Sequence, residues 1–369
     1  MRTVETRLAL IDALKAIASQ LIVLHHLAFY GPMSDVAHDL APALFIWLSQ
    51  DARIAVQLFL VISGFLAAKT LAPTGQLIAT EPHSLIKRRY LKLVFPYAAA
   101  ILVSILCAAI ARSLMDNESI PGPPSLMQFF AHIALLQNIL HFDSLSAGVW
   151  YIAIDFQLFT LLLGVLWVAR SAGKRIQATH IPGIAMVSGL VLASLFYFNR
   201  DPNWDNWALY FFGAYGLGVI TYWASETGNK PVWLLLITSI VVAALIVDFR
   251  SRIAVALFTA LALGLAHRWG FLASWPKGAL LAYLGKISYS IFLTHFPVIL
   301  IINAVFSRIA PDSPAVNALG IIIAWAACIA SGALFYHFIE NRANRWRELA
   351  IAPIRRLLDR WALVFKAKS

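Results

Sequence analysis

Ten apolar stretches, most of them close to twenty residues long, recur along this 369-residue chain. The hydrocarbon core of a bilayer is about 30 Å thick and takes about twenty helical residues to cross. Such stretches fold as membrane-spanning helices, because a helix satisfies its backbone N–H and C=O groups internally where no water can. They lie near residues 8–29, 54–72, 93–112, 148–169, 181–198, 206–224, 232–249, 252–267, 283–306 and 316–338. Composition agrees: only 13% of residues are charged and the mean hydropathy is +0.76, whereas soluble domains carry about a quarter charged residues. The expected fold class is all-α, a polytopic membrane protein of about ten transmembrane helices. One membrane domain would cover 1–340 and a short tail 341–369. Asp12 and Lys15 interrupt the first stretch, which argues against a cleaved signal peptide.

Lys and Arg set the orientation. With the N-terminus inside, 23 of the 29 basic residues fall on the cytoplasmic side or at cytoplasmic helix ends, among them Lys87, Arg88, Arg89 and Lys92. The other six, Arg53, Arg112, Arg200, Arg250, Arg252 and Arg308, fall outside. This is the positive-inside pattern, and it places both termini in the cytoplasm. The net charge of +11 is therefore a topology signal rather than a nucleic-acid footprint. The tail IRRLLDRWALVFKAKS reads as a basic amphipathic helix lying on anionic lipid. Residues 113–147, with their PGPP, form the longest outer segment, long enough for a lid or binding loop. Cys107 and Cys328 stand in separate apolar runs with no CxxC motif, so neither a disulfide nor a metal site is expected.

Against this apolar background, a few ionisable residues stand out by their depth. In LIDALKAIASQLIVLHHLAFY, Lys15 and His26 are eleven residues apart. That is close to three helical turns, which puts them on one face about 16 Å apart along the axis. Asp12 lies a turn before Lys15 and can pair with it, while His25 points about 100° away. The ninth stretch, YLGKISYSIFLTHFPVIL, brings His295 to a depth similar to that of His26. Ser63 in FLVISGFL falls mid-membrane, with Gly64 beside it to permit close helix approach. Asp155 in WYIAIDFQLF lies a turn or two below the outer surface, where a carboxylate needs a partner or water. A neutral imidazole can take a hydroxyl proton near pH 7. Cations at the cytoplasmic ends suit a phosphorylated donor. The remaining histidines, His83, His132, His141, His180, His267 and His337, fall in loops or near helix ends, where a hydrated ring needs no role.

At these residues the chain resembles the acyltransferase-3 family of integral-membrane acyltransferases over nearly its whole length. The first stretch is similar to that family's basic residue, ten others and His, at Lys15 and His26. VISGFL resembles its SGF element at Ser63, Gly64 and Phe65. RYLKLVFP resembles its Arg-x-x-Arg element at Arg89 and Lys92, the second position being Lys here; Lys keeps the charge without the planar fork. WYIAIDFQLF resembles its Trp-x-x-x-x-acid segment, with Asp155 where Glu is common. GKISYSIFLTHFPV resembles its pattern at Gly285, Ser288, Tyr289, His295 and Pro297, and FIENR its closing Glu, Glu340.

The resemblance implies transfer of an acyl group, often acetyl from acetyl-CoA, to an extracytoplasmic hydroxyl, commonly of a cell-surface glycan. It implies no metal, and location in a bacterial inner membrane. CoA phosphates would bind among Lys15, Arg89 and Lys92, with Tyr289 near the donor. His26 would act as general base or as an acyl-carrying nucleophile, supported by His295 and Ser63, with the acceptor passing Trp150 and Asp155. Glu340 would pair with a cytoplasmic cation. A proton-coupled transporter or lipid-linked sugar flippase is the competing class, but the sequence has no inverted repeat and no pair of matching broken helices.

Overall fold

The computed structural model describes residues 7–78, 81–175, 177 and 179–343. Apart from its first three residues, the expected amphipathic tail lies outside the described residues. Every described element is helical: α1 (Ala9–Phe29), α2 (Met33–Ala37), α3 (Pro42–Gln50), α4 (Val56–Leu71), α5 (Pro82–Leu114), α6 (Leu126–Ile133), α7 (Trp150–Arg175), α8 (Ile181–Phe196), α9 (Ala208–Ser225), α10 (Val232–Val247), α11 (Ser251–Arg268), α12 (Ala279–Ile309) and α13 (Pro314–Phe335), with short 3-10 turns between some of them. Proline occupies the first turn of α3, α5, α8 and α13, where its missing N–H costs no helical hydrogen bond. A capping box between Ser125 and Gln128 starts α6.

All ten apolar stretches are helices, but they are not equivalent. Eight are long and apolar enough to cross a bilayer, namely α1, α4 with its preceding turn, α5, α7, α8, α11, α12 and α13. The other two depart from the expected uniform set. At 16 residues, α10 is only about 24 Å long. The 18-residue α9 has 16 residues buried, including glycines, tyrosines and a tryptophan. It is a central helix whose surroundings are protein, so it needs less hydropathy than one facing lipid.

Leaving aside the short α2, α3 and α6, successive helices alternate in direction, and hydrogen bonds tie their ends into two faces. On the face where α1 begins, Leu10 N–H donates to Leu272 O (3.2 Å) and the Trp223 indole to Ala72 O (2.7 Å). On the opposite face Arg308 donates to Leu114 O (2.7 Å) and Arg250 to Asn199 (2.8 Å). α5 departs from expectation at its start. With 33 residues it is about 50 Å long, so Lys87 to Lys92 form its first turns rather than a loop ahead of a span at residue 93.

Two glycine contacts bring the central helices together. A Cβ on Gly64 would lie 1.9 Å from Tyr215 O, and one on Gly218 would lie 2.1 Å from Val61 O. α4 and α9 therefore touch backbone to backbone, as small residues allow in membranes. Both cysteines are free thiols, Cys328 fully buried and Cys107 partly so. Two of the histidines expected to be hydrated are not: His267 is partly buried against Tyr222 and bonds the Ser225 hydroxyl (2.9 Å), and His132 is enclosed. It is 0% exposed, donates from Nδ1 to Gln128 O (2.8 Å) and accepts at Nε2 from Leu145 N–H (3.1 Å). It pins the segment before α7 to α6.

Candidate active site

α1 and α12 lie side by side because Gly285 has no side chain to separate them; a Cβ there would stand 2.1 Å from Asp12 O. His26 comes seventeen residues after the start of α1 and His295 sixteen after the start of α12, each about 25 Å along its helix. The rings meet with His26 Nδ1 2.6 Å from His295 Nε2, 8° from parallel. They are 8% and 0% exposed.

The surroundings fix the proton positions of this pair. His295 Nδ1 faces the carbonyl oxygens of Phe292 (2.7 Å) and Ile291 (3.3 Å). A carbonyl can only accept, so His295 carries its proton on Nδ1 and presents a lone pair at Nε2. His26 must then donate from Nδ1, which leaves His26 Nε2 as a lone pair free to take a proton. The sequence brought the two histidines to one depth; the contact and this tautomer chain come from the fold.

The backbone of the outer segment closes over the ring. Gly148 has φ +80°, and a Cβ there would lie 3.1 Å from Phe292 Cζ and 3.5 Å from His26 Cε1. Tyr30 packs on the imidazole with ring centroids 5.4 Å apart. His25 does a separate job on its own face, donating from Nδ1 to Leu48 O in α3 (2.9 Å).

Toward the face where α1 begins, a column of polar side chains follows. Ser63 neighbours the Tyr151 phenol rather than an imidazole, and Tyr151 packs on Phe292 (5.6 Å). Next, Arg89 of α5 and Asp155 of α7 form an ion pair at 2.5 Å, their side chains 30% and 6% exposed. The two were expected at opposite ends of the reaction path, one at a phosphate and one beside the acceptor. The fold joins them because a carboxylate this deep needs a cation. Arg89 Nε, Asp155 Oδ1 and the Tyr97 hydroxyl are buried with no partner in the structure. Tyr289, which donates to Leu93 O (3.1 Å), lies within the electrostatic reach of Arg89, Asp155, Tyr97 and Glu340.

At the end of the column, Lys15 feels the charges of Asp12, Lys92, Glu340 and Arg89. Asp12 is held by Arg7 (2.6 Å) and not by Lys15. Glu340 ends a π-helical turn and accepts from the Ser290 hydroxyl (2.5 Å), so its nearest partner is that hydroxyl and not the expected cation. Among the described residues Lys15 and Lys92 make no ion pair within 4 Å, and both act on Glu340 only through charge at longer range. Tyr151, Tyr97 and Gly148 were missed in the sequence. Tyr151 had a faint signal, standing between Trp150 and the acidic position. Gly148 had none, because its role depends on φ and on what lies beneath it.

The arrangement is a buried base under a closed outer segment, joined by a polar column to a cationic mouth on the other face. The profile of the acyltransferase-3 family, described as an acyltransferase domain, matches residues 8–337. The comparison finds no match among curated proteins and none among solved structures. With the match spanning nearly all of the described chain, the protein belongs to the acyltransferase-3 family and is a membrane acyltransferase.

Proposed function

We propose that this acyltransferase moves an acyl group, acetyl being the simplest case, from cytoplasmic acyl-CoA to a hydroxyl of an extracytoplasmic glycan-type acceptor, in a bacterial inner membrane. The observation that carries the reading is the orientation of His26, whose Nε2 lone pair is exposed by the hydrogen bond that its Nδ1–H gives to His295. The donor phosphates sit against Lys15 and Lys92 at the mouth. The pantetheine arm runs up the polar column, where its amides meet the unpartnered Arg89 Nε, Asp155 Oδ1 and Tyr97 hydroxyl. Lys15 to His26 is about 16 Å along α1, a span suited to an extended arm.

In the transfer step, His26 Nε2 takes the acceptor's hydroxyl proton as its oxygen attacks the thioester carbonyl carbon. The tetrahedral intermediate collapses by breaking the C–S bond. The leaving thiolate takes the proton back from His26, giving the ester and free CoA thiol. His295 is a positioning residue: it holds the tautomer and orientation of His26 throughout, as the third member of a catalytic triad does. The Tyr151–Ser63 pair lies next to the path of the thioester.

The test is release of CoA thiol from acetyl-CoA by purified protein in nanodiscs, with and without cell-envelope glycan. Wild type is expected to turn over and His26→Ala to lose at least about 100-fold, the usual range for a general base, at equal folded yield. A wild type that neither binds nor cleaves acyl-CoA would refute the donor assignment and favour a carrier.

A further inference from the structure

The seam between α5 and α12 has two faces. Its inner face packs Ala108, Ala111, Phe296, Leu300 and Ala304 together with Tyr30. On its lipid side lies an open apolar groove of about 430 Å³, lined by α5, α12 and α13. Thr294, which reaches it, is the residue before His295, and its hydroxyl bonds Ser331 at the groove's floor (3.1 Å). The groove's medium is bilayer hydrocarbon, so what fills it is an alkyl or isoprenoid chain.

A second pocket, of about 440 Å³, sits at the outer end of the same seam, lined by Arg112 to Asn117, Ile120 and Arg308. The two lie in register. On α12, Thr294, Ile301 and Arg308 are spaced by seven, two turns each, and so share a stripe. On α5, Val103, Cys107 and Leu114 form the matching stripe. Between the two pockets the stripes carry Ile110 and Val305, 42% and 44% exposed, so the track is apolar until it meets the arginines. Arg112 and Arg308 each give a donor to a backbone carbonyl, of Pro121 and Leu114, and keep others free. Elsewhere on this face Arg200 and Arg250 share Asp248 (3.4 and 3.5 Å), but among the described residues Arg112 and Arg308 make no such ion pair. An apolar track that ends in two guanidiniums with no ion pair among the described residues is complementary to a lipid with a phosphate head.

We infer that this track holds an outer-leaflet lipid whose phosphate head carries the acceptor hydroxyl, with its tail in the groove and its phosphate between Arg112 and Arg308. The inference rests on the acyl-transfer reading and names its acceptor class. Tyr30 links the two places: like Leu114, Met115 and Ile120 of the head pocket, it packs against the cluster of Ala108, Ala111 and Phe296, and its ring lies tilted beside that of His26, centroids 5.4 Å apart. A sugar attached to the phosphate therefore reaches toward the base along Tyr30, while Asp116 supplies an acceptor for its other hydroxyls and Asn117, whose Oδ1 is taken by Ser119, supplies an amide donor.

The test uses the full chain in nanodiscs containing a single-chain lipid with a tail diazirine and a phosphate head, against the same tail with a phosphocholine head. After photolysis, the phosphate lipid is expected to label the α5 and α12 peptides containing Val103–Cys107 and Pro297–Ile302 at least fivefold more than the phosphocholine lipid. Arg112→Gln with Arg308→Gln should abolish that preference, and Arg112→Lys with Arg308→Lys should keep most of it. Equal labelling by both heads, or a preference untouched by the glutamines, would mean a bulk lipid in the groove and would overturn the inference. The labelling needs no thioester and no turnover, so its failure would leave the acyl-transfer reading standing.

Discussion

His26 meets His295 at 2.6 Å and Arg89 meets Asp155 at 2.5 Å; both contacts join distant helices inside the bundle. Their surroundings differ in what they leave unfilled. Around the histidines, carbonyls from Phe292 and Ile291 satisfy the far nitrogen of His295, so the single open position is a lone pair on His26. Around the ion pair, one atom of each partner remains without a hydrogen bond, together with the Tyr97 hydroxyl. The first pair is arranged to move one proton. The second holds two charges still and offers polar edges to whatever passes. Chemistry and passage are thus divided between neighbouring levels of one column.

Breaking the ion pair should give the largest effect on stability. Asp155→Ala leaves Arg89 without its counter-charge, and the removal of one partner of a buried pair costs about 3 kcal/mol or more. Denaturant unfolding in detergent should show this loss, with most of it regained in the Arg89→Met/Asp155→Leu double variant. A double variant no more stable than the single one would mean that the pair is hydrated and not buried. His295→Leu should act more on turnover than on stability. It should cost about 1–3 kcal/mol of stability, the penalty for leaving the buried His26 Nδ1–H without an acceptor, yet lower CoA release by about 10- to 100-fold, because His26 loses the acceptor that fixes its tautomer. A change in substrate KM with turnover unaltered would place His295 in binding instead.

A smaller effect is expected where the outer segment covers the site. Gly148→Ala puts a Cβ 3.1 Å from Phe292 Cζ at φ +80°, a left-handed backbone costing about 1–2 kcal/mol for other residues. Its transfer rate should fall by about tenfold, while acyl-CoA binding measured by calorimetry stays unchanged. The smallest effect belongs to His132, outside the membrane-spanning helices. Burial holds its pKa below the ordinary 6.5, against the opposing pull of the Gln128 carbonyl. As the pH falls below 6.5, the unfolded segment binds a proton that the folded one resists. The stability of the cap is therefore full above that pH and declines below it. Hydrogen exchange of the Leu145 amide, corrected for its intrinsic rate, should quicken between pH 6.5 and 5 in wild type and be flat in His132→Asn.

Much of this was legible in the linear chain for a plain reason. Hydrocarbon admits few backbone arrangements, so apolar length and the Lys/Arg asymmetry dictate helices and their alternation. Periodicity put Lys15 and His26 on one face, and depth marked His295 as its counterpart. The helix ends were harder. Lys87 to Lys92 read as a loop because they are charged, but they continue α5, since helical geometry costs nothing where water begins. α9 read as one more span, whereas its glycines and tyrosines suit a helix surrounded by protein.

The sequence by itself determined the all-helical membrane fold, the acyltransferase-3 resemblance and the candidate base. Only the tertiary structure decided the partners: that Asp155 belongs to Arg89, Glu340 to Ser290 and Asp12 to Arg7. The physical reason is that depth is a one-dimensional property, readable from residue counts along each helix. Which group satisfies a buried charge or hydroxyl depends on rotation and on close approach. At Gly64, Gly218 and Gly285 those are set by backbones touching across helices far apart in the chain.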